Sequence, residues 1–267
     1  MNRKKAILLV SFGTSYLESK EKTIDLIYQD IQTAFPDFLL YHAWTCNFII
    51  NLLKERNQLH IPTIAQAMAQ MKIDGIDTLI VQPTHFINGI EHTRMKDLVF
   101  EHSWNPLQIS FGTPLLTTSK DQAQVLDAVM HEFSTIPPED ALVFMGHGTT
   151  HHANCVYAVL NDALKNMGYA NAFMGTVEAY PNLHTLIEQV SLTHPQKVHL
   201  TPFMLVAGDH ANNDMASPQQ GSWKSSFEAA GFETICYIKG LGEYRGIRQI
   251  YLEHLFDAIN GNIFSAF

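Results

Sequence analysis

The chain has 267 residues, of which 46% are hydrophobic and 16% charged, and its formal net charge at pH 7 is -9. This length and composition are typical of a globular protein with a sizeable core, and the acidic balance without a basic run argues against a nucleic-acid partner or an anionic membrane surface. Three widely spaced cysteines form no C-x-x-C motif, and no apolar segment approaches transmembrane length, so we expect no disulfide framework and a cytoplasmic location.

Short apolar runs alternate with longer amphipathic stretches along the whole chain. Helices are predicted at Glu18–Phe35, Ala123–Phe133 and Ala153–Met167, among others. Near-continuous Val, Ile and Leu runs are typical of strands covered on both faces, so the pattern predicts an α/β fold with parallel sheets flanked by helices. The predicted strands cover residues 6–12, 38–44, 77–83, 107–112, 141–146, 171–176, 197–204 and 233–238.

The two halves of the sequence resemble each other. LLVSFGT (8–14) matches LVFMGHGT (142–149), which pairs Phe12 with His147, and the second strands would pair Thr45 with Glu178. VQPTHFINGIEHTRM (81–95) matches LTPFMLVAGDHANNDM (200–215) in the same way. An internal repeat of this kind predicts two similar halves, residues 1–134 and 135–267, with the boundary at the turn 134–138. Because ligands of open parallel sheets bind beyond the carboxyl ends of the strands, we expect an active-site cleft between the halves.

Three polar side chains of the second half, His147, Glu178 and His210, each follow a predicted strand. Two imidazoles and a carboxylate suit a borderline divalent cation such as Co²⁺, Ni²⁺, Fe²⁺ or Zn²⁺ and leave coordination positions open. The alternative is that these histidines are hydrogen-bonded structural residues, so the residues alone indicate either a metal site or an acid–base cleft. The sequence has no G-x-G-x-x-G, P-loop, HExxH or G-x-S-x-G motif, and we expect no nucleotide cofactor.

Glycine turns follow the first strand of each half, at Gly13 and Gly148. Backbone N–H groups at such turns could hold a carboxylate of the ligand. The residues Thr149 and Thr150 predict a hydroxyl cap at a helix start, which would place His151 and His152 in the first helical turn.

Several segments closely resemble the anaerobic sirohydrochlorin cobaltochelatases of the CbiK type, a family of class II tetrapyrrole chelatases. The resemblance covers nearly the whole chain. It implies two α/β halves related by a pseudo-twofold axis, and ATP-independent insertion of Co²⁺ into sirohydrochlorin, a precorrin-2-derived tetrapyrrole, in anaerobic cobalamin biosynthesis. The segments are FMGHGTTHHANCVYAVLNDAL, TVEAYPNL, HLTPFMLVAGDHANNDMASPQQGSWKSSFEAAGF and GLGEYRGIR, with AILLVSFGTSY, VQPTHFINGIEHTRM and GTPLLTT in the first half.

By motif, the resemblance implies that His147, Glu178 and His210 bind the metal and that His147 and Glu178 are catalytic. From these roles we expect His147 to accept pyrrolic protons, a task that suits an imidazole. The residues expected to bind the tetrapyrrole are Gly13, Thr14, Glu91 and Gly148.

One segment departs from the family pattern and several alternatives stay open. TCNFIINLLKERN (45–57) stands where the family tends to carry a hydroxyl- and Arg-rich helix start. A chelatase for Ni²⁺, Fe²⁺ or another ring is one alternative, and a non-catalytic tetrapyrrole or metal carrier is another. Helical segments such as Ile247–Ala258 leave a homo-oligomer open.

Overall fold

The structure, a computed structural model, describes residues 4–261 and contains two four-stranded parallel sheets. The predicted α/β class with two similar halves is confirmed, and each predicted strand is present. The first sheet has the order β2-β1-β3-β4 and the second the order β6-β5-β7-β8. The strands are β1 Lys5–Ser11, β2 Leu39–Trp44, β3 Thr78–Pro83, β4 Gln108–Phe111, β5 Ala141–Gly146, β6 Ala172–Thr176, β7 Lys197–Pro202 and β8 Glu233–Cys236.

Helices connect the strands. They are α1 Leu17–Lys22, α2 Ile24–Ala34, α3 Asn47–Asn57, α4 Ile64–Ile73, α5 Ile90–Glu101, α6 Ser119–Glu132, α7 Cys155–Asn166, α8 Leu183–Ser191, α9 Trp223–Ala229 and α10 Arg245–Ile259. Short 3₁₀ segments occur at His152–Asn154 and Leu241–Glu243, and a π-helix at His210–Met215. Within residues 4–261, none of the helices combines the length and the apolar character that crossing a bilayer requires.

The single helix predicted from residue 18 to residue 35 is wrong, because the chain forms two helices separated at Thr23. The backbone of Thr23 (φ -130°, ψ -81°) is not helical, and its hydroxyl donates a hydrogen bond to the carbonyl of Ser19. Side-chain bonding of a threonine to a nearby carbonyl competes with helix formation, so this local contact interrupts an otherwise periodic segment.

The central strands are apolar because helices cover both faces of each sheet. All six residues of β5 are buried, as are six of the seven in β1, whereas the edge strand β2 is buried only at Ala43 and Trp44. Full burial of each Leu, Ile or Val in these strands contributes about 1.5–3 kcal/mol. The contrast between central and edge strands explains why the central runs give the clearest sequence signal.

Equivalent hydrogen bonds relate the two sheets. The amide of Cys46 donates to the carbonyl of Phe12, and the amide of Glu178 donates to the carbonyl of His147. Phe12 and His147 are therefore equivalent, as the repeat indicates. The counterpart of Glu178 is Cys46, however, and not Thr45 as the sequence comparison suggests. The predicted equivalence is wrong by one residue, because the register of the parallel strands sets it and a short sequence match does not contain that register.

The chain separates into two compact units whose bounds differ from the sequence-based division after residue 134. Within the described residues, the first unit comprises residues 4–121 and 248–261, and the second comprises Gln122–Ile247. Most of α10 therefore belongs to the first unit. Its Arg248 pairs with Asp30 at 2.6 Å, and its Tyr251 hydroxyl donates to the carbonyl of Thr84. These contacts join segments more than 160 positions apart, which local sequence patterns do not report.

Candidate metal centre

Three neighbouring strands of the second sheet bring His147, Glu178 and His210 together. His147 is the first residue after β5, Glu178 is the second after β6, and His210 begins the π-helix that follows β7. One ligand atom of each residue lies within 4.8 Å of the others. Among residues 4–261, this is the one such group of three or more His, Cys, Asp or Glu side chains.

The three side chains are arranged openly around a common point. Nδ1 of His147 lies 3.6 Å from Oε2 of Glu178, and the rings of His147 and His210 are nearly perpendicular with their centroids 4.7 Å apart. The side chains of His147 and Glu178 are 49% and 54% exposed, and that of His210 is 30% exposed. A closed structural metal site would exclude solvent, so this geometry is suited to a cation that enters and leaves.

Hydrogen bonds set the tautomer of both imidazoles. Nδ1 of His210 lies 2.6 Å from Oδ2 of Asp214, and Nδ1 of His147 lies 2.9 Å from the carbonyl oxygen of Gly148. Because a carbonyl and a carboxylate only accept, each Nδ1 is the donor in its bond, and in the neutral ring the lone pair then lies on Nε2. A histidine that ligates a metal through one nitrogen commonly donates its other N–H to a carboxylate or carbonyl.

Asp214 is a site residue that the sequence analysis missed. It lies four positions after His210, and its carboxylate pairs with that ring. The H-x-x-x-D spacing in HANND, once the segment is recognised as helical, is the signal that could have found it, because side chains four apart on a helix are neighbours.

Two glycines shape the turn that carries His147. A Cβ on Gly146 would come within 2.2 Å of the Tyr157 ring. Gly148 has φ +85°, and a Cβ there would lie 2.9 Å from the amide nitrogen of Ala179. The Gly148 N–H donates to the Tyr157 hydroxyl at 3.5 Å, and burial raises the pKa of that hydroxyl. Only glycine combines this φ with so close an approach of backbone and neighbour.

The segment after Gly148 differs from the predicted helix start. The hydroxyl of Thr149 accepts from the backbone N–H of His151, and Nδ1 of His151 accepts from the backbone N–H of Ala153. The hydroxyl cap on a helix is therefore wrong: the threonine closes a local turn, and His151 caps the short 3₁₀ segment that precedes α7. His151 and His152 do not belong to the group of three ligands.

Three of the four residues expected to bind substrate lie in the first unit. Gly13 has φ +105° and packs against Trp44, as Gly148 packs against the end of β6. Thr14 is buried, and its hydroxyl accepts from the backbone N–H of Tyr16. Glu91 is half-buried in the first turn of α5. The fourth, Gly148, lies beside His147, and substrate binding by all four stays a prediction.

A pair of histidines with buried ring nitrogens, near the end of β3, has no counterpart in the sequence predictions. His85 and His92 lie with their ring centroids 6.2 Å apart, and neither ring nitrogen of His85 has a hydrogen-bond partner among the described residues. Burial lowers the pKa of His85 to about 3 and that of His92 to about 4. Both imidazoles are therefore neutral near pH 7.

Comparison with known proteins identifies relatives that match along almost the whole chain. The family model described as cobalt chelatase (CbiK) matches residues 5–260. The sirohydrochlorin cobaltochelatase of Salmonella typhimurium is 38% identical over 259 residues, covering 96% of this chain and 97% of that protein. The sirohydrochlorin cobaltochelatase CbiKC of Nitratidesulfovibrio vulgaris is 30% identical over 263 residues, covering 96% of this chain and 91% of that protein.

Solved structures share the fold at low sequence identity. The sirohydrochlorin chelatase SirB from Bacillus subtilis subspecies spizizenii, in complex with cobalt, superposes with a TM-score of 0.66 at 15% identity and 97% coverage of both chains. CbiX, described as the terminal enzyme of siroheme biosynthesis in denitrifying bacteria, has a TM-score of 0.56 at 14% identity, with 95% of this chain and 99% of that chain covered. At these identities, the likeness establishes the arrangement of the strands and helices.

Proposed function

The chain belongs to the cobalt chelatase (CbiK) family, and on that premise we propose that His147, Glu178 and His210 carry its reaction, the insertion of Co²⁺ into sirohydrochlorin. The chain is a metal chelatase, as its family and its relatives are. The observation that best supports the assignment to these residues is the convergence of two imidazoles and a carboxylate within 4.8 Å at a solvent-open sheet edge.

The donor set suits a metal that is delivered as a substrate. Two neutral imidazoles and one carboxylate compensate only part of the charge of a divalent cation, so the site binds without holding the cation in a closed shell. Three protein ligands leave positions for water or for incoming pyrrole nitrogens. The ligand types alone do not select Co²⁺ over Ni²⁺ or Zn²⁺, because the affinity of such sites follows a general order among these metals. The assignment of cobalt comes from the family.

Metal insertion also requires that pyrrolic protons leave the macrocycle. In the neutral ring, Nε2 of His147 has the free lone pair that a proton acceptor needs. The carboxylate of Glu178, 3.6 Å from the same ring, would stabilise the imidazolium that forms. His147 would in this way alternate between metal ligand and base, and no nucleotide takes part in either step.

The carboxylates of sirohydrochlorin need donors on an acidic protein. We assign this role to the turns at Gly13 and Gly148, where the chain has a positive φ just after a strand, with Thr14 and Glu91 as neighbours of the substrate. Three further properties stay predictions: a cytoplasmic location, the absence of a nucleic-acid partner and a possible homo-oligomer.

Anaerobic insertion of Co²⁺ into sirohydrochlorin, followed by absorbance, tests the assignment. His147→Ala and His210→Ala should each abolish acceleration over the protein-free reaction while the far-UV circular dichroism is unchanged. His184→Ala is a matched control, because His184 is 83% exposed on α8 of the same unit and also lies 3.6 Å from a glutamate carboxylate, that of Glu188. Retained turnover in a variant that combines His147→Ala and His210→Ala would refute the assignment. Tight pigment binding by the wild type without any turnover would instead favour a carrier.

A further inference from the structure

The connection that follows the edge strand differs between the two sheets. The amide of Trp44, at the end of β2, donates to the carbonyl of Pro62, and the amide of Thr176, at the end of β6, donates to the carbonyl of Pro181. In both cases a helix follows the proline and packs on the edge strand, α4 on β2 and α8 on β6. Trp44 and Pro62 are 18 positions apart, whereas Thr176 and Pro181 are 5 apart. The first unit therefore contains an insertion, which forms α3.

This insertion builds a pocket of about 790 Å³ beside the outer edge of β2. The insertion supplies one wall from α3 and another from the segment Leu59–Ile61, and β2, α4 and Tyr28 of α2 complete it. Both ends of the exposed strand edge are already bonded, by the Tyr28 hydroxyl to the Leu40 carbonyl and by the Trp44 amide to Pro62. An added β-strand would find the edge blocked, so the pocket is suited to a small group and not to an extended chain.

One face of α3 presents unpartnered polar groups to this pocket. Asn47, Asn51 and Lys54 recur at positions i, i+4 and i+7, which places them on one side of the helix. All three line the pocket, and none of these side chains has a hydrogen bond or an ion pair with any residue in the range 4–261. Two carboxamides and an ammonium group without partners are available to a ligand.

The charge of the lining favours an anion. The protein carries 26 acidic and 17 basic side chains, yet the 16 described residues that line the pocket include no aspartate and no glutamate. Lys54 is the permanent cation among them. A cation would find no carboxylate ligand here, whereas a carboxylate would find an ammonium counter-ion and amide donors.

We propose that this β2-edge pocket binds a carboxylate group, held by the ammonium of Lys54 and the side-chain amides of Asn47 and Asn51. The residues belong to the first unit and are not part of the proposed metal site. Two sources could supply the group: a free small di- or tricarboxylate, or an acidic side chain of sirohydrochlorin. The second source rests on the proposed function and the first does not.

Two measurements on the full chain distinguish the sources. The first is calorimetric titration with citrate in the absence of metal, and the second is the KM for sirohydrochlorin in cobalt insertion. Lys54→Gln and Asn51→Ala are the test variants. Lys72→Gln is the matched control, because Lys72 is an exposed lysine of α4 in the same unit that does not line the pocket. All three substituted residues are exposed surface side chains, so thermal unfolding should be unaffected.

A small carboxylate as the ligand would be supported by three results together. Citrate binding would weaken about three- to tenfold in Lys54→Gln, it would weaken with added salt, and it would be unchanged in Lys72→Gln. A KM for sirohydrochlorin that rises by the same factor in the test variants alone would support the substrate's acidic side chain. If neither quantity changes in Lys54→Gln and Asn51→Ala, the proposal is wrong. The citrate titration remains informative even if the wild type inserts no metal.

Discussion

Removal of the carboxylate of Asp214 should weaken cobalt binding without removing any ligand. The bond from His210 Nδ1 to Asp214 Oδ2 is 2.6 Å long, and it keeps the lone pair on Nε2. Loss of such a partner behind a metal-binding histidine typically costs about 10- to 100-fold in metal affinity. Because the two side chains are 30% and 46% exposed, solvent replaces part of the interaction, and we expect about a tenfold loss for Asp214→Ala.

The assay is the dependence of the insertion rate on Co²⁺ concentration, combined with direct Co²⁺ titration by absorbance. Asp214→Ala should raise the KM for Co²⁺ about tenfold and change the rate at saturating Co²⁺ much less, since every proposed ligand remains. The KM of Asp214→Asn for Co²⁺ should lie between those of the wild type and Asp214→Ala, because a carboxamide oxygen still accepts from Nδ1. Glu188→Ala, which breaks the exposed His184 pair four positions apart on α8, is the control. An unchanged affinity in Asp214→Ala would refute the positioning role.

Three further predictions follow from the packing. Gly148→Ala should destabilise the fold by at least about 1–2 kcal/mol and abolish insertion, because φ is +85° and the new Cβ would meet Ala179; chemical denaturation and the insertion assay check this. Tyr157→Phe should lower the rate of insertion with little change in circular dichroism, because the hydroxyl that holds the Gly148 amide is lost, and an unchanged rate would contradict it. The protein should lose stability as the pH falls below about 6.5, because His85 binds a proton in the unfolded chain but stays neutral in the folded protein down to about pH 3. The loss is on the order of 2 kcal/mol at pH 5. It should be missing from the pH dependence of unfolding in His85→Gln.

The parts of the fold that the sequence predicts are those in which burial dictates residue type. The strand β5 is buried at every position, so its apolar run leaves little choice of structure. The break at Thr23 depends on one side-chain hydrogen bond, and the place of α10 depends on contacts such as Tyr251 with Thr84, far away in the sequence. Neither leaves a periodic signal.

The candidate site divides in a similar way. His147, Glu178 and His210 could be predicted because parallel strands deliver the residues at their carboxyl ends to one edge, and the family motifs fall on the same positions. The equivalence of Glu178 in the second half to Cys46 in the first depends on strand register. The proposed role of Asp214 depends on the irregular helix that begins at His210. These are properties of the folded backbone.

The proposed metal site can be tested directly with a crystal of the protein soaked anaerobically with Co²⁺ and an anomalous difference map recorded at the cobalt edge. If these three side chains bind the cation, a peak should lie about 2.0–2.2 Å from Nε2 of His147, Nε2 of His210 and a carboxylate oxygen of Glu178, with water in the remaining positions. A cobalt peak bound elsewhere, for example at His85 and His92, with none at these three residues, would contradict the proposed site.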